Sequence, residues 1–94
     1  MESHQLRIGG EKVDGGAGGY EIVNPATEEV VGVAPQATVE QSTAATEAAA
    51  AAFDAWSRTT PEHRAELLER VADLIDANAD RLVPLVQAET GATM

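Results

Sequence analysis

Residues 20–35 read YEIVNPATEEVVGVAP. Two short runs rich in β-branched and aromatic residues, Tyr20-Glu21-Ile22-Val23 and Val30-Val31-Gly32-Val33, flank Asn24-Pro25-Ala26-Thr27. Such runs bounded by turn residues predict strands. Pro25 sets φ for the second position of a turn, and the Asn24 side chain can bond the backbone ahead of it. With Glu28-Glu29 completing the loop, the stretch predicts a β-hairpin that Pro35 ends.

Upstream, Leu6 and Ile8 precede Gly9-Gly10, and Val13 stands before the loop Asp14-Gly15-Gly16-Ala17-Gly18-Gly19. Glycine reaches positive φ at little steric cost, so a hairpin-like connection is expected across that loop. Residues 5–35 thus form the extended part of the chain.

Downstream the period changes. Thr38-Val39-Glu40-Gln41 reads as a capping box, with the Thr38 hydroxyl accepting from the Gln41 amide and Gln41 reaching back. Val39, Thr46, Ala49, Phe53 and Trp56 then recur at spacings of one helix face. The run Ala48–Ala52 adds helix propensity and a smooth surface for close packing. This predicts a helix over 39–57. Thr60-Pro61-Glu62 opens the next one, with a cap, a proline at the first helical position and an acid in the first turn. Leu67, Leu68, Val71, Leu74 and Ile75 form its apolar stripe, predicting a helix over 61–77 that pairs antiparallel with the first. Glu66 and Arg70 stand four apart in the favourable order. A short third helix is expected over 80–90. Pro84 lacks an N–H and restricts Val83, so the alternative is a kinked continuation of the second helix.

The 94 residues amount to one small domain at most, and much of the 44% hydrophobic share is alanine. Tyr20, Phe53 and Trp56 are the only aromatic residues. A chain of this size buries roughly 60–65% of its unfolded surface, so a self-sufficient core would be marginal. Sixteen acids against six bases give a formal charge of −10, which disfavours nucleic acid and anionic lipid as partners. No apolar stretch approaches a membrane span, and MESHQLRIGG lacks the basic start and apolar core of a signal peptide, so a cytoplasmic location is expected.

Little chemistry is visible. There are no cysteines, which excludes disulfides, thiolate metal sites and a cysteine nucleophile within these residues. The Gly15–Gly19 loop matches neither dinucleotide nor P-loop fingerprints and opens a strand where a phosphate cradle would open a helix. His4 falls in a terminus expected to be mobile, and His63 lies in the first turn of the second helix. Neither has a second ligand at metal-binding spacing. Glu62, Glu66, Glu69, Asp73, Asp76 and Asp80 read as a solvated helix face, since paired carboxylates need a cleft to act as acid and base. Ser3, Ser42 and Ser57 have no base partner, and none sits in the Asp-Ser-Leu context of an acyl carrier. Phe53 and Trp56 read first as core residues. Catalytic, cofactor-binding and metal residues are therefore all expected to be none.

In order and spacing, the chain resembles the N-terminal segment of NAD(P)-dependent aldehyde dehydrogenases. The resemblance runs through Ile8-Gly9-Gly10-Glu11, Val13-Asp14-Gly15-Gly16, Tyr20 to Thr27, Ala49-Ala50, Ala52-Phe53, Trp56, Arg64, Leu67-Leu68, Ala72-Asp73-Leu74-Ile75, Leu82 and Glu89-Thr90-Gly91. Three positions depart from it: Lys12 stands where the family usually has an aromatic residue, Glu28 where it has glycine, and Ala92-Thr93 where Lys-Pro is common. A positive φ at Glu28 would be strained.

The resemblance implies an α/β parent fold. Residues 1–94 would be a partial domain, the N-terminal part of a cofactor-binding domain: a β-hairpin region, a helix pair and a short third helix. A complete enzyme of this kind would oxidise an aldehyde to a carboxylic acid through a cysteine thiolate, with NAD or NADP as cofactor. The thioester would be hydrolysed with help from a glutamate, and an asparagine would steady the developing charge. None of those groups falls in this segment, which is expected to be inactive alone. Its expected partner is the remainder of that fold or a full-length relative, and both helices would cover a sheet from that remainder. Alone, it is expected to be loosely folded or self-associating. The alternative is a stand-alone acidic helical interaction module reusing the segment.

Overall fold

The structure, a computed structural model, describes residues 2–92. Five strands come first: β1 (Glu2–Ser3), β2 (Leu6–Ile8), β3 (Glu11–Val13), β4 (Gly19–Val23) and β5 (Val30–Pro35). Three helices follow, α1 (Val39–Ser57), α2 (Pro61–Ala77) and α3 (Ala79–Thr90). The chain is thus an α/β segment with a β-hairpin region ahead of its helices.

The strands divide into two sheets. β4 and β5 form the antiparallel hairpin predicted around Asn24-Pro25, with a register shift between Ile22 and Val23. Asn24 closes the loop. Its N–H donates to the Glu29 carbonyl at 2.9 Å, and its carbonyl accepts from Glu28 N–H at 2.8 Å. The Asn24 carboxamide oxygen accepts from Ala26 N–H at 2.8 Å and Thr27 N–H at 3.3 Å, fixing the turn from within. β1 adds to the far side of β5 in parallel, so backbone pairing ties down residues 2–3, where a mobile terminus was expected. Gly32, the one buried residue among those described, sits in this central strand.

Glu28 has φ +63°, the only positive value at a described non-glycine residue. For a side chain with a Cβ that conformation costs roughly 1–2 kcal/mol. Glu28→Gly should therefore stabilise the hairpin by about 0.5–1 kcal/mol, after allowing for glycine's freer unfolded state. Slower exchange of the Asn24 amide would register the gain.

The second sheet corrects the expected position of the upstream hairpin. β2 and β3 pair antiparallel, with Ile8 opposite Glu11, and turn through Gly9-Gly10. Both glycines have positive φ, +59° and +82°, which a two-residue hairpin turn requires. The Gly15–Gly19 loop joins the two sheets instead of folding β3 onto β4. On one face of this hairpin Arg7 stands opposite Lys12, and like charges so placed weaken the pairing. The departure at position 12 thus has a local cost.

α1 packs on β2. The side it presents is the alanine surface: Ala45, Ala48, Ala49 and Ala52 line a crevice against Ile8 and the Gly9-Gly10 turn. A Cβ at Gly9 would lie 3.8 Å from the Ala48 Cβ. A side-chain-free turn can approach a helix closely only where the helix carries small residues. The face centred on Phe53 and Val39 is accordingly rotated away from the sheet, and these side chains are 69% and 80% exposed.

The caps follow the sequence reading. Thr38 and Gln41 form the reciprocal capping box. Thr60 Oγ1 accepts from His63 N–H at 3.1 Å, with Pro61 in the first turn. Between α1 and α2, Arg64 holds the corner: Nε donates to Thr59 Oγ1 at 2.8 Å, and Nη2 to the Trp56 carbonyl at 3.0 Å. Its guanidinium lies 5.3 Å from the Trp56 ring centre. An i,i+4 ion pair closes between Asp54 and Arg58 at 3.1 Å, on the exposed side of α1.

α2 and α3 break at Asn78, whose φ of −108° and ψ of 11° leave the helical region. Its carboxamide donates back to the Leu74 carbonyl at 2.7 Å, and its own carbonyl starts α3 by accepting from Arg81 and Leu82. α3 then carries Pro84 inside it and ends at Gly91 with φ +72°.

Candidate functional site

Two of the places where distant parts of the chain meet involve turns singled out from the sequence. The first is the Gly15–Gly19 loop at the start of α1. Gln41 reaches beyond its capping role here: Oε1 accepts from Thr38 N–H at 3.0 Å and Gly16 N–H at 2.8 Å, while Nε2 donates to the Asp14 carbonyl at 2.7 Å. Two further loop amides are engaged, Ala17 N–H with the Gln36 carbonyl and Gly18 N–H with that of Gly15, both at 3.0 Å. A phosphate cradle needs such N–H groups free and pointing outward. This loop turns them inward, and Gln41 covers the helix end beside it.

Gln41→Ala removes three side-chain hydrogen bonds, one of which is half the capping box, an expected loss of about 2 kcal/mol. Gln41→Glu keeps both acceptor bonds and suits the helix N-terminus, but turns an oxygen against the Asp14 carbonyl. Its expected loss is smaller, about 1 kcal/mol. Denaturant midpoints of the two variants should fall in that order.

The second place is the meeting of the Asn24-Pro25 turn with the end of α3. A groove of about 290 Å³ opens there, lined by Asn24, Ala26, Pro84, Gln87 and Gly91 among others. Its lining offers carboxamides and backbone but no acid, base or nucleophile. A Cβ on Gly91 would come within 2.9 Å of Pro25 Cγ, so turn and helix end are in close contact.

The other residues singled out from the sequence are dispersed. His4, Arg7 and Lys12 border a polar depression beside β2, while His63 sits at the start of α2. Ser57 Oγ donates to the Asp54 carbonyl at 2.8 Å, within α1. The acids of α2 are exposed. No group of three metal-binding side chains occurs among the described residues, and no described helix is long and apolar enough to cross a membrane. The Ser3 side chain and the departure at Thr93 lie outside the described residues. Trp56 and Phe53, read as core, are instead 48% and 69% exposed. The Pro25–Gly91 contact was not predicted. Its signal was available in two turn-forming motifs, but nothing in either one names the other as its partner.

Comparison with known proteins gives a consistent picture. Residues 12–94 match the family model described as the aldehyde dehydrogenase family. The chain is 40% identical over 79 residues to 3-succinoylsemialdehyde-pyridine dehydrogenase of a Pseudomonas species, covering 84% of this chain and 17% of that protein. It is 39% identical over 93 residues to (Z)-2-((N-methylformamido)methylene)-5-hydroxybutyrolactone dehydrogenase of Acinetobacter baylyi, covering 97% and 19%. Phenylacetaldehyde dehydrogenase of Pseudomonas fluorescens is 38% identical over 91 residues, covering 94% and 18%. The chain therefore spans less than a fifth of the length of these curated relatives.

Proposed function

The chain belongs to the aldehyde dehydrogenase family, as a counterpart of its N-terminal segment, and from that premise we propose that it is a scaffold for an NAD(P)-dependent enzyme oxidising an aldehyde to a carboxylic acid. On this reading residues 1–94 are the first part of the cofactor-binding domain, and no catalytic, dinucleotide or metal contact falls among them. The nucleophilic cysteine belongs to another part of the enzyme, since these residues contain none.

The observation that carries the reading is the brace between Pro25 and Gly91. It joins the two motifs at opposite ends of the family match into one structural unit with no titratable lining. The nicotinamide cofactor is assigned to the remainder of the enzyme. What supports this is the Gly15–Gly19 loop, whose three central amides, those of Gly16, Ala17 and Gly18, already have partners within the chain and so do not fit a dinucleotide phosphate. The stand-alone acidic module gains no support from the relatives.

The test is a chimera in which residues 12–94 replace the matching segment of the Acinetobacter relative. It should retain NAD(P)H formation with that relative's substrate, whereas residues 1–94 alone form none. In the chimera, Ser42→Ala, His63→Ala and Glu66→Gln should leave kcat unchanged within about twofold, because none contributes to the transition state. A tenfold fall in kcat in a soluble, folded variant would sink the scaffold reading.

A further inference from the structure

Arg7 and Lys12 are the only Lys or Arg residues before α1, in a chain of formal charge −10. The register of the β2–β3 hairpin sets them directly opposite each other. Alternation along the strands places both on the face that Leu6, Ile8 and Val13 do not occupy. A polar depression of about 340 Å³ opens there, lined by His4, Gln5, Arg7 and Lys12. That size is at the lower end of small-ligand pockets, roughly 300–1,000 Å³. No described acid lines it.

The two cations are held differently. Arg7 Nη1 donates to the Gly10 carbonyl at 2.9 Å, which pins the guanidinium over the hairpin and leaves its fork of other N–H groups uncommitted among the described residues. Lys12 makes no hydrogen bond or ion pair among the described residues. Asp14, the next residue on this face, stands outside the lining, and its Oδ1 accepts from Gln5 Nε2 at 2.8 Å. Two like charges therefore face each other across the strands with no acid between them.

Whatever neutralises both charges stabilises the hairpin that presents them. Two single positive charges match a dianion. A phosphate monoester carries about −1.5 to −2 at neutral pH, on three strong acceptor oxygens. Those oxygens can accept from the planar Arg7 fork and from the Lys12 ammonium at once. A single carboxylate brings one charge in one plane. A long polyanion would meet the negative field of the whole chain, whereas a small dianion responds to charges within about one Debye length, ~10 Å at 0.1 M salt.

We propose that the Arg7–Lys12 face of the β2–β3 hairpin binds a phosphate dianion, free or as the head of a small phosphate monoester, with His4 and Gln5 at its rim. Lys12, which stands where the family usually has an aromatic residue, supplies the second charge. The site stands whether or not the family reading above holds.

The test follows amide NMR spectra of the 94-residue chain as inorganic phosphate, phenyl phosphate or malonate is added at constant ionic strength. Cross-strand contacts between Arg7 and Lys12 should be present at the outset, and their absence overturns the proposal, because the site needs the hairpin. Phosphate should shift the Arg7 and Lys12 resonances saturably, with a millimolar dissociation constant, since both charges are exposed. Tighter binding of phenyl phosphate assigns the site to a monoester, and equal or weaker binding assigns it to free phosphate. Malonate carries two charges on carboxylates and should bind at least about threefold more weakly than phosphate. Malonate binding as tight as phosphate overturns the assignment.

Lys12→Phe should weaken phosphate binding at least about tenfold while the hairpin stays folded, because the repulsion goes with the charge. Arg7→Lys keeps both charges but loses the fork, and should weaken binding about threefold or more, whereas Lys12→Arg should stay within about twofold. Arg70→Gln removes a charge from α2 and should change nothing. At a phosphate concentration ten times the dissociation constant, exchange of the β2 and β3 amides should slow about tenfold, and not at all in Lys12→Phe. Absent or unsaturable shifts, equal losses in Lys12→Phe and Arg70→Gln, or equal slowing of exchange in Lys12→Phe would each reduce the effect to general screening and overturn the proposal.

Discussion

Gly15→Ala should destabilise the sheet region by about 2–3 kcal/mol. The added Cβ would stand 2.7 Å from both the backbone nitrogen and the backbone oxygen of Gln36, and 2.9 Å from the Gly18 carbonyl oxygen. All three are main-chain atoms, so no side chain can swing aside. They also belong to two loop bonds, Gln36 N–H to the Gly18 carbonyl at 2.9 Å and Ala17 N–H to the Gln36 carbonyl at 3.0 Å. Overpacking of this kind costs about 1–3 kcal/mol, and each bond disturbed adds roughly 0.5–1.5 kcal/mol. The lower unfolded entropy of alanine returns less than about 1 kcal/mol.

A neighbour supplies the control. Gly18 has φ +89° but open space where its Cβ would be. Gly18→Ala should therefore cost only the left-handed penalty, roughly 1–2 kcal/mol. Amide exchange at Ala17 and Gln36 in the chimera separates the two. Gly15→Ala should raise both rates by about 30-fold or more, at tenfold per 1.4 kcal/mol. If Gly18→Ala proves the more damaging, close approach is not what the glycine at position 15 serves.

This contrast marks where the sequence stops being legible. Positive φ is a local property, and Gly-Gly or Gly-Ala-Gly readily suggests it. The absence of space at Gly15 arises from Gln36, on the far side of a hairpin, and no neighbouring residue encodes it. Caps and the β4–β5 hairpin are readable for the converse reason, since Thr38 with Gln41 and Asn24 with Ala26 satisfy each other within one turn. The strain at Glu28 was readable too, because the family resemblance marks that position as glycine.

Longer-range choices went unread. The face α1 turns inward depends on the shape of the Gly9-Gly10 turn, so alanines win over Phe53. The pairing of β1 with β5 needs only backbone groups, which leave no trace in side-chain periodicity. In the candidate site, Asn24-Pro25 and Gly91 were visible as motifs, but their contact was not.

That contact carries the second large prediction. Gly91 is constrained twice, by φ +72° and by Pro25 Cγ lying 2.9 Å from where a Cβ would be. The proline ring is rigid and held in a turn that the Asn24 side chain fixes, so it yields poorly. Gly91→Ala should lose about 1–2 kcal/mol to left-handed strain and at least a further 1 kcal/mol to the clash. Pro25→Ala removes the obstructing ring but also the preset φ, an expected loss of about 1 kcal/mol. If the two residues brace each other, the double variant should be less destabilised than the sum of the singles by about 1 kcal/mol, because alanine at position 25 makes room for the new methyl. Exchange at Ala26 and at the Gly91 amide, which bonds the Gln87 carbonyl at 2.9 Å, reads both sides of the contact. Strict additivity would mean that the turn and the end of α3 are merely adjacent, and the brace on which the scaffold reading rests would lose its physical basis.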